Sequence, residues 1–188
     1  MKYPLEKSHR NLLEKTVKEA RKIAETAAET TIKQLGVDEA RAPAHLSEEE
    51  QQLRTRLRTH GRQLGDFRHG TSGGQELNRL VEETAYQHWH RMLFARFLAE
   101  NNLLMYPDPV SPVAVTLEEC EEMAKDEGAA NGWELASRFA SQMLPRIFHV
   151  DSPVFRLTLP PEYQQNLQQL VSGLPKGVFT AQDRKSVV

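Results

Sequence analysis

The chain has 188 residues, 39% of them hydrophobic and 27% charged, with a formal net charge of −2 and a single cysteine. That length suits one domain or two small ones, and the lone Cys120 excludes an internal disulfide framework or a cysteine-rich zinc module. The near-neutral balance argues against a wholly basic nucleic-acid coat protein while permitting a local basic patch. No apolar run approaches the roughly 20 residues of a membrane span. The start Met1-Lys2-Tyr3-Pro4-Leu5-Glu6-Lys7 has no apolar h-region, so the default expectation is a soluble cytoplasmic protein.

Sparse β-branched residues and abundant Glu, Gln, Ala, Leu and Arg favour helix through most of the chain. The first helix is expected from about Ser8 to Leu35, with Ser8 as N-cap and Gly36 as stop. Its apolar side (Leu12, Leu13, Val17, Ala20, Ile23, Ala24, Ala27, Ala28, Leu35) is alanine-rich and buries little area per turn. At roughly 40 Å it reads as an arm packed along a larger body or a partner. A loop with Pro43 follows. Ser47-Glu48-Glu49-Glu50 is a capping box that opens a second helix to about Leu64, with Leu53, Leu57 and Leu64 as its apolar stripe. Gly61 weakens this helix late. Gly65 to Gly74 holds four glycines in ten positions and reads as a flexible joint or internal boundary. It is not a phosphate loop, because no Gly-x-x-x-x-Gly-Lys-Ser/Thr is present.

The strongest helix signal runs from Gln75 to about Asn101, and Phe94, Phe97 and Leu98 widen its apolar face near the end. Tyr106 to Pro112 is too rich in proline for helix and reads as an extended loop. Thr116-Leu117-Glu118-Glu119 is a second capping box, opening a short helix through Met123 to about Glu127. A further helix spans Trp133 to about Phe148, with a kink or early end at Pro145. Val154 to Leu159 alternates as a short strand would, without an obvious partner. Pro160-Pro161 opens a last helix that Gly173 stops, and Thr180-Ala181-Gln182-Asp183 looks like the start of one more. A cap with no helix behind it raises the expectation that the natural protein continues. The fold class expected is all-α: an irregular helical bundle with a long N-terminal helix and at most one short strand pair. The expected segments are an arm at 1–36, a bundle domain at 47–183 and a tail at 184–188, the tail being a truncation point.

Few residues present themselves for chemistry. His88 and His90 lie two apart on a helix and point in opposing directions, so they do not grip one metal; one is expected exposed and the other packed. His60 and His69 keep the company of arginines, and His149 stands alone. Cys120 reads as a buried small hydrophobe. The acidic run Glu118 to Glu127 lacks the spacing of a calcium loop and reads as a solvated face. Motifs for dinucleotide binding, zinc hydrolysis or a nucleophile elbow are absent from the sequence. One patch stands out. Arg54, Arg56, Arg58, Arg62 and Arg68 lie within fifteen residues, with Asp66 as the only acid among them. Such a guanidinium stripe can contact phosphates; the plain alternative is an exposed helix face or pairing with acids elsewhere.

The run from Leu77 to Leu104, above all Trp89-His90-Arg91-Met92-Leu93-Phe94-Ala95-Arg96-Phe97-Leu98-Ala99-Glu100-Asn101-Asn102-Leu103-Leu104, resembles a known segment. Leu117-Glu118-Glu119-Cys120, Ala136 to Phe148 and Leu174 to Asp183 extend the likeness in order. Together they resemble the N-terminal helical region of large S-adenosylmethionine-dependent, adenine-specific DNA methyltransferases of bacterial restriction–modification and phage-defence systems. The likeness covers about Leu53 to Asp183, and Arg184-Lys185-Ser186-Val187-Val188 departs from it. The family's cofactor motif and its Asn-Pro-Pro-Tyr-type catalytic loop are not in this sequence, so no catalytic, cofactor-binding or metal residue is carried over. What the resemblance implies is a parent protein that uses S-adenosylmethionine to methylate adenine after flipping it from the duplex. This chain would then be a non-catalytic accessory region that packs against the catalytic domain and touches double-stranded DNA phosphates, foremost through Arg54, Arg58 and Arg62, with Arg56 pointing elsewhere on the helix. Under the same resemblance Trp89, Phe94 and Phe97 are bundle core rather than a base-stacking platform. The rival class is a helical protein-interaction module with no nucleic-acid role.

Overall fold

The computed structural model describes residues 5–180. Among them are six α-helices and one two-stranded antiparallel sheet, so the protein is all-α with a single short strand pair. The tail at 184–188 and most of the helix start expected at Thr180–Asp183 lie outside the described residues. No helix among the described residues is long and apolar enough to cross a membrane.

The helices are α1 (Lys7–Gln34), α2 (Glu48–Leu64), α3 (Asn78–Glu100), α4 (Leu117–Met123), α5 (Gly132–Met143) and α6 (Pro161–Ser172). Local signals set most of their ends. Both capping boxes form: Glu50 N donates to Ser47 Oγ while Ser47 N donates to Glu50, and Thr116 with Glu119 repeats the pair. α2 stops at Gly65, whose φ of 111° is open to glycine and costly for other residues. α5 ends at Met143, two residues before Pro145, which is the early end rather than the kink.

Packing divides the chain into two compact units of discontinuous segments, which cut across the expected arm and bundle. Of the described residues, the first holds 5–20, 90–149 and 167–180. Its core gathers Ala95, Leu98, Leu104, Cys120, Leu135 and Phe139, all buried. Strands β1 (Met105–Tyr106) and β2 (Val113–Ala114) pair on either side of the segment read as an extended loop. The turn between them is held by Asp108, whose carboxylate accepts from Val110 N at 2.7 Å and Ser111 N at 2.8 Å. Those bonds, Ser111's first, hold the Asp108 carboxyl below its usual range. Phe148 is fully buried and meets the rings of His90 and Phe94. Phe97 is 38% exposed, so it is only a partial member of that core.

The second unit holds Arg21–Trp89 and Val150–Asn166. Ala24, Ala27, Ala28 and Ile32 are its fully buried α1 residues; the three alanines belong to the expected stripe and Ile32 does not, while Leu12 of that stripe is exposed. The alternating Val154–Leu159 run is not a strand. Pro153–Arg156 forms a 3₁₀ turn packed on α2, since an alternating run without a partner strand has no ladder to join. The glycine-rich segment Gly65–Gly74 lies inside this unit and is not a boundary between units.

Candidate functional site: two faces of the second helix

The residues that α2 buries are Arg54, Leu57, Arg58 and Gly61. They fall at i, i+3, i+4 and i+7, the spacing of a core face. Two of the five arginines in the expected stripe therefore point inward, and Leu53 and Leu64 do not form the main buried face. Leu64 is 36% exposed.

A buried guanidinium is stable only when its N–H groups find acceptors. Backbone carbonyls supply them here. Arg54 Nε donates to Gly36 O at 2.9 Å and its NH2 to Glu39 O at 2.7 Å. Arg58 NH1 donates to Val37 O at 2.8 Å and also to Glu39 O, and its NH2 donates to Gly73 O at 2.9 Å. The two side chains thus tie the loop after α1 and the glycine-rich segment to α2. Burial, then repulsion by Arg54, Arg68 and Arg62, pushes the Arg58 guanidinium below its ordinary value, while Asp38 opposes the shift.

Gln75 completes the clasp. Its Nε2 donates to Arg58 O at 3.0 Å, its Oε1 accepts from Arg62 NH1 at 3.1 Å, and its backbone N donates to Asp38 O at 2.9 Å. Asp66 is buried and caps α3 from outside the helix, accepting from Arg79 N at 2.8 Å and Leu80 N at 3.0 Å. Gly61, read from sequence as a weak point, lies where a Cβ would stand 2.9 Å from Gln75 Nε2 and 3.1 Å from Asp66 Oδ2. Only a residue without a side chain allows that approach.

The other three arginines are exposed. Arg56 NH2 reaches Asp151 O at 3.4 Å, a long contact. Arg62 NH2 donates to Thr59 Oγ1 at 3.2 Å. Arg68 pairs through its backbone with Gln75 in an isolated bridge, beside Phe67, which is 73% exposed. None of the ion pairs formed among the described residues involves any of the five arginines.

On the side of α2 opposite Arg54 and Arg58 lies a cleft of about 280 Å³, lined by Thr55, Arg56, Thr59, His60, Gln63 and Pro153. His60 Nε2, and Ser152 Oγ next to Pro153, are buried with no hydrogen-bond partner among the described residues. A buried polar atom left in that state costs about 1–3 kcal/mol.

The remaining candidates have structural explanations. His88 and His90 are both half-buried, so neither is the exposed one expected. His88 Nε2 lies 3.1 Å from Val154 O, and burial pushes His90 below its ordinary value. Cys120 is fully buried, and that burial pushes its thiol up to about 11. Three acids of the 118–127 run have partners: Glu119 accepts from Thr116 N at 2.7 Å, Glu121 accepts from Gly132 N at 2.6 Å, and Glu127 accepts from Tyr106 Oη at 2.9 Å. No group of three or more His, Cys, Asp or Glu side chains is placed to hold a metal among the described residues.

Gln75, Asp66 and Gly61 were not singled out from the sequence as members of this arrangement. The side chains of the first two act on partners 13 to 17 residues distant, and the Gln75 backbone reaches Asp38, so no local pattern marks them. The core spacing of Arg54, Leu57, Arg58 and Gly61 is a legible signal that residue polarity masks. No protein-family model, curated protein or solved structure matches the chain.

Proposed function

We propose that the chain is a non-catalytic helical accessory region of an adenine-specific, S-adenosylmethionine-dependent DNA methyltransferase of a bacterial restriction–modification or phage-defence system. In this reading it works in the cytoplasm beside the catalytic domain of its parent, which binds the methyl donor. It touches the backbone of double-stranded DNA through Arg56, Arg62 and Arg68. The single observation that supports the DNA contact is the exposed set of three guanidiniums with no carboxylate partner among the described residues, borne on α2 and on the glycine-rich segment that Arg58 ties to it. Guanidiniums without ion-pair partners favour phosphate oxygens and release counterions on binding. The likeness of Leu77–Leu104 to the methyltransferase region supports the parent's identity. Arg54 and Arg58 take a different role from the one first expected: they position the ridge rather than meet the phosphates.

The test is a mobility shift of duplex DNA by the full chain across a salt series. The expected result is salt-dependent binding that an Arg56/Arg62/Arg68→Ala variant loses. Its slope of log affinity against log salt should fall by up to about 2.7, at about 0.9 per phosphate contact. Absence of binding at low salt, together with a stable dimer by light scattering, would replace this reading with a protein-interaction module.

A further inference from the structure

We infer that the cleft between α2 and the Pro153–Arg156 turn is a binding site for a phosphate oxyanion. This deepens the proposed backbone contact and rests on the same Arg56. The lining of the cleft carries the inference. Positions 55, 56, 59, 60 and 63 of α2 fall on one face of the helix. They bring together a guanidinium, an imidazole, a side-chain amide and two hydroxyls, with Pro153 as the far wall and no carboxylate among them. That is a donor set for an anion. A second cleft, in the other unit, has the opposite character: Glu100, Glu118 and Glu121 line it, and its Arg96 is already engaged with Glu100 and Val171 O.

The donors around Pro153 are available to a ligand. Thr55 and Thr59 hydroxyls donate to the carbonyls one turn back, and rotation about a single bond redirects each. Among the described residues Arg56 has only the 3.4 Å contact to Asp151 O, which leaves its fork open to two oxygens of one phosphate. His60 Nε2 has no partner among the described residues, and a bound oxyanion within reach would give it one. Arg62 stands next to the cleft through its bond to Thr59 Oγ1, so a phosphate seated there lies beside the exposed ridge. The ligand is either a phosphodiester of DNA or the phosphate of a free molecule; the chemistry of recognition is shared.

The experiment titrates the full chain with inorganic phosphate and, separately, with a short duplex DNA at low ionic strength. The His60 imidazole and Gln63 side-chain amide are followed by NMR. Both ligands are expected to move these resonances saturably. Arg56→Gln should weaken phosphate binding about tenfold and Gln63→Leu about threefold, as for loss of a charged and a neutral hydrogen bond. Lys33→Ala, which removes a positive charge elsewhere, should not weaken it. If DNA binds but phosphate leaves the resonances unmoved, and Q63L binds DNA like the parent chain, the cleft is not the site and the ridge survives. If phosphate saturates the cleft while DNA does not bind, the site stands with a free phosphorylated ligand and the DNA reading falls. If neither ligand binds, both fall.

Discussion

Arg58 donates from NH2 to the Gly73 carbonyl at 2.9 Å, joining α2 to a segment fifteen residues away. The same guanidinium serves Val37 O and Glu39 O, so three carbonyls from two loops converge on one side chain. Arg58→Ala leaves those acceptors without their donor in a largely dry site. The expected loss is about 3 kcal/mol, allowing for partial entry of water. Arg58→Lys should recover little of it, because one ammonium cannot reproduce a planar fork. Urea unfolding midpoints check both variants. A lysine variant as stable as the parent would show that charge, and not the fork, holds the loops.

Gly61→Ala sets two effects against each other. Alanine in a helix interior is better than glycine by about 1 kcal/mol. Here its Cβ would stand 2.9 Å from Gln75 Nε2 and 3.1 Å from Asp66 Oδ2, and both partners are committed to hydrogen bonds. The clash should win, with a net destabilisation of about 1–2 kcal/mol. Gln75→Ala in the same chain should relieve part of that strain, which a double-mutant cycle by thermal or urea unfolding reads directly. If Gly61→Ala raises the unfolding midpoint, the close approach is not a constraint.

What could be read from the sequence and what could not divide along range. The capping boxes at Ser47–Glu50 and Thr116–Glu119 each need only four consecutive residues, and both form where expected. The helix stop at Gly65 and the early end before Pro145 follow from one residue's backbone freedom each. The strand pair had no such signal, because two residues per strand are too few for an alternation to show. The Val154–Leu159 alternation was real but found no ladder. The site was half legible. The five arginines were visible as a cluster, yet their division into clasp and ridge depends on acceptors at Gly36, Val37, Glu39 and Gly73, which only the fold brings near.

Asp66 gives a residue-level prediction. Its two carboxylate oxygens each take one backbone N–H of the first turn of α3, from Arg79 and Leu80. Asn has one acceptor oxygen, and its NH2 would face a donor. Asp66→Asn should therefore cost about 1–3 kcal/mol, unlike the near-neutral exchange at an ordinary N-cap. Hydrogen exchange at Arg79 and Leu80 should accelerate at least about tenfold, as a local loss of about 1.4 kcal/mol requires. Unchanged protection at both amides would mean the cap is made by other groups.

Cys120 ties burial to pH. Burial, then the nearby charges of Glu119 and Glu118, pushes its thiol up from 9.0 to about 11. Between those two values the unfolded chain releases the thiol proton while the folded chain keeps it. The unfolded state then binds fewer protons, so stability falls as pH rises through this window, by up to about 1.4 kcal/mol per pH unit from this one group. Below 9.0 the thiol contributes no pH dependence. Cys120→Ala lacks the group. Its methyl-sized replacement in the core formed with Leu135 and Phe139 should lower stability by about 1 kcal/mol at neutral pH. The loss across the window exceeds that offset, so the two stability curves should converge and then cross as pH rises, with lysine and tyrosine titration common to both. Iodoacetamide at about pH 8 should modify the native thiol far more slowly than the urea-unfolded one, since both burial and the raised pKa suppress the thiolate. Parallel stability curves, or equal modification rates in the two states, would place Cys120 at the surface and not in the core.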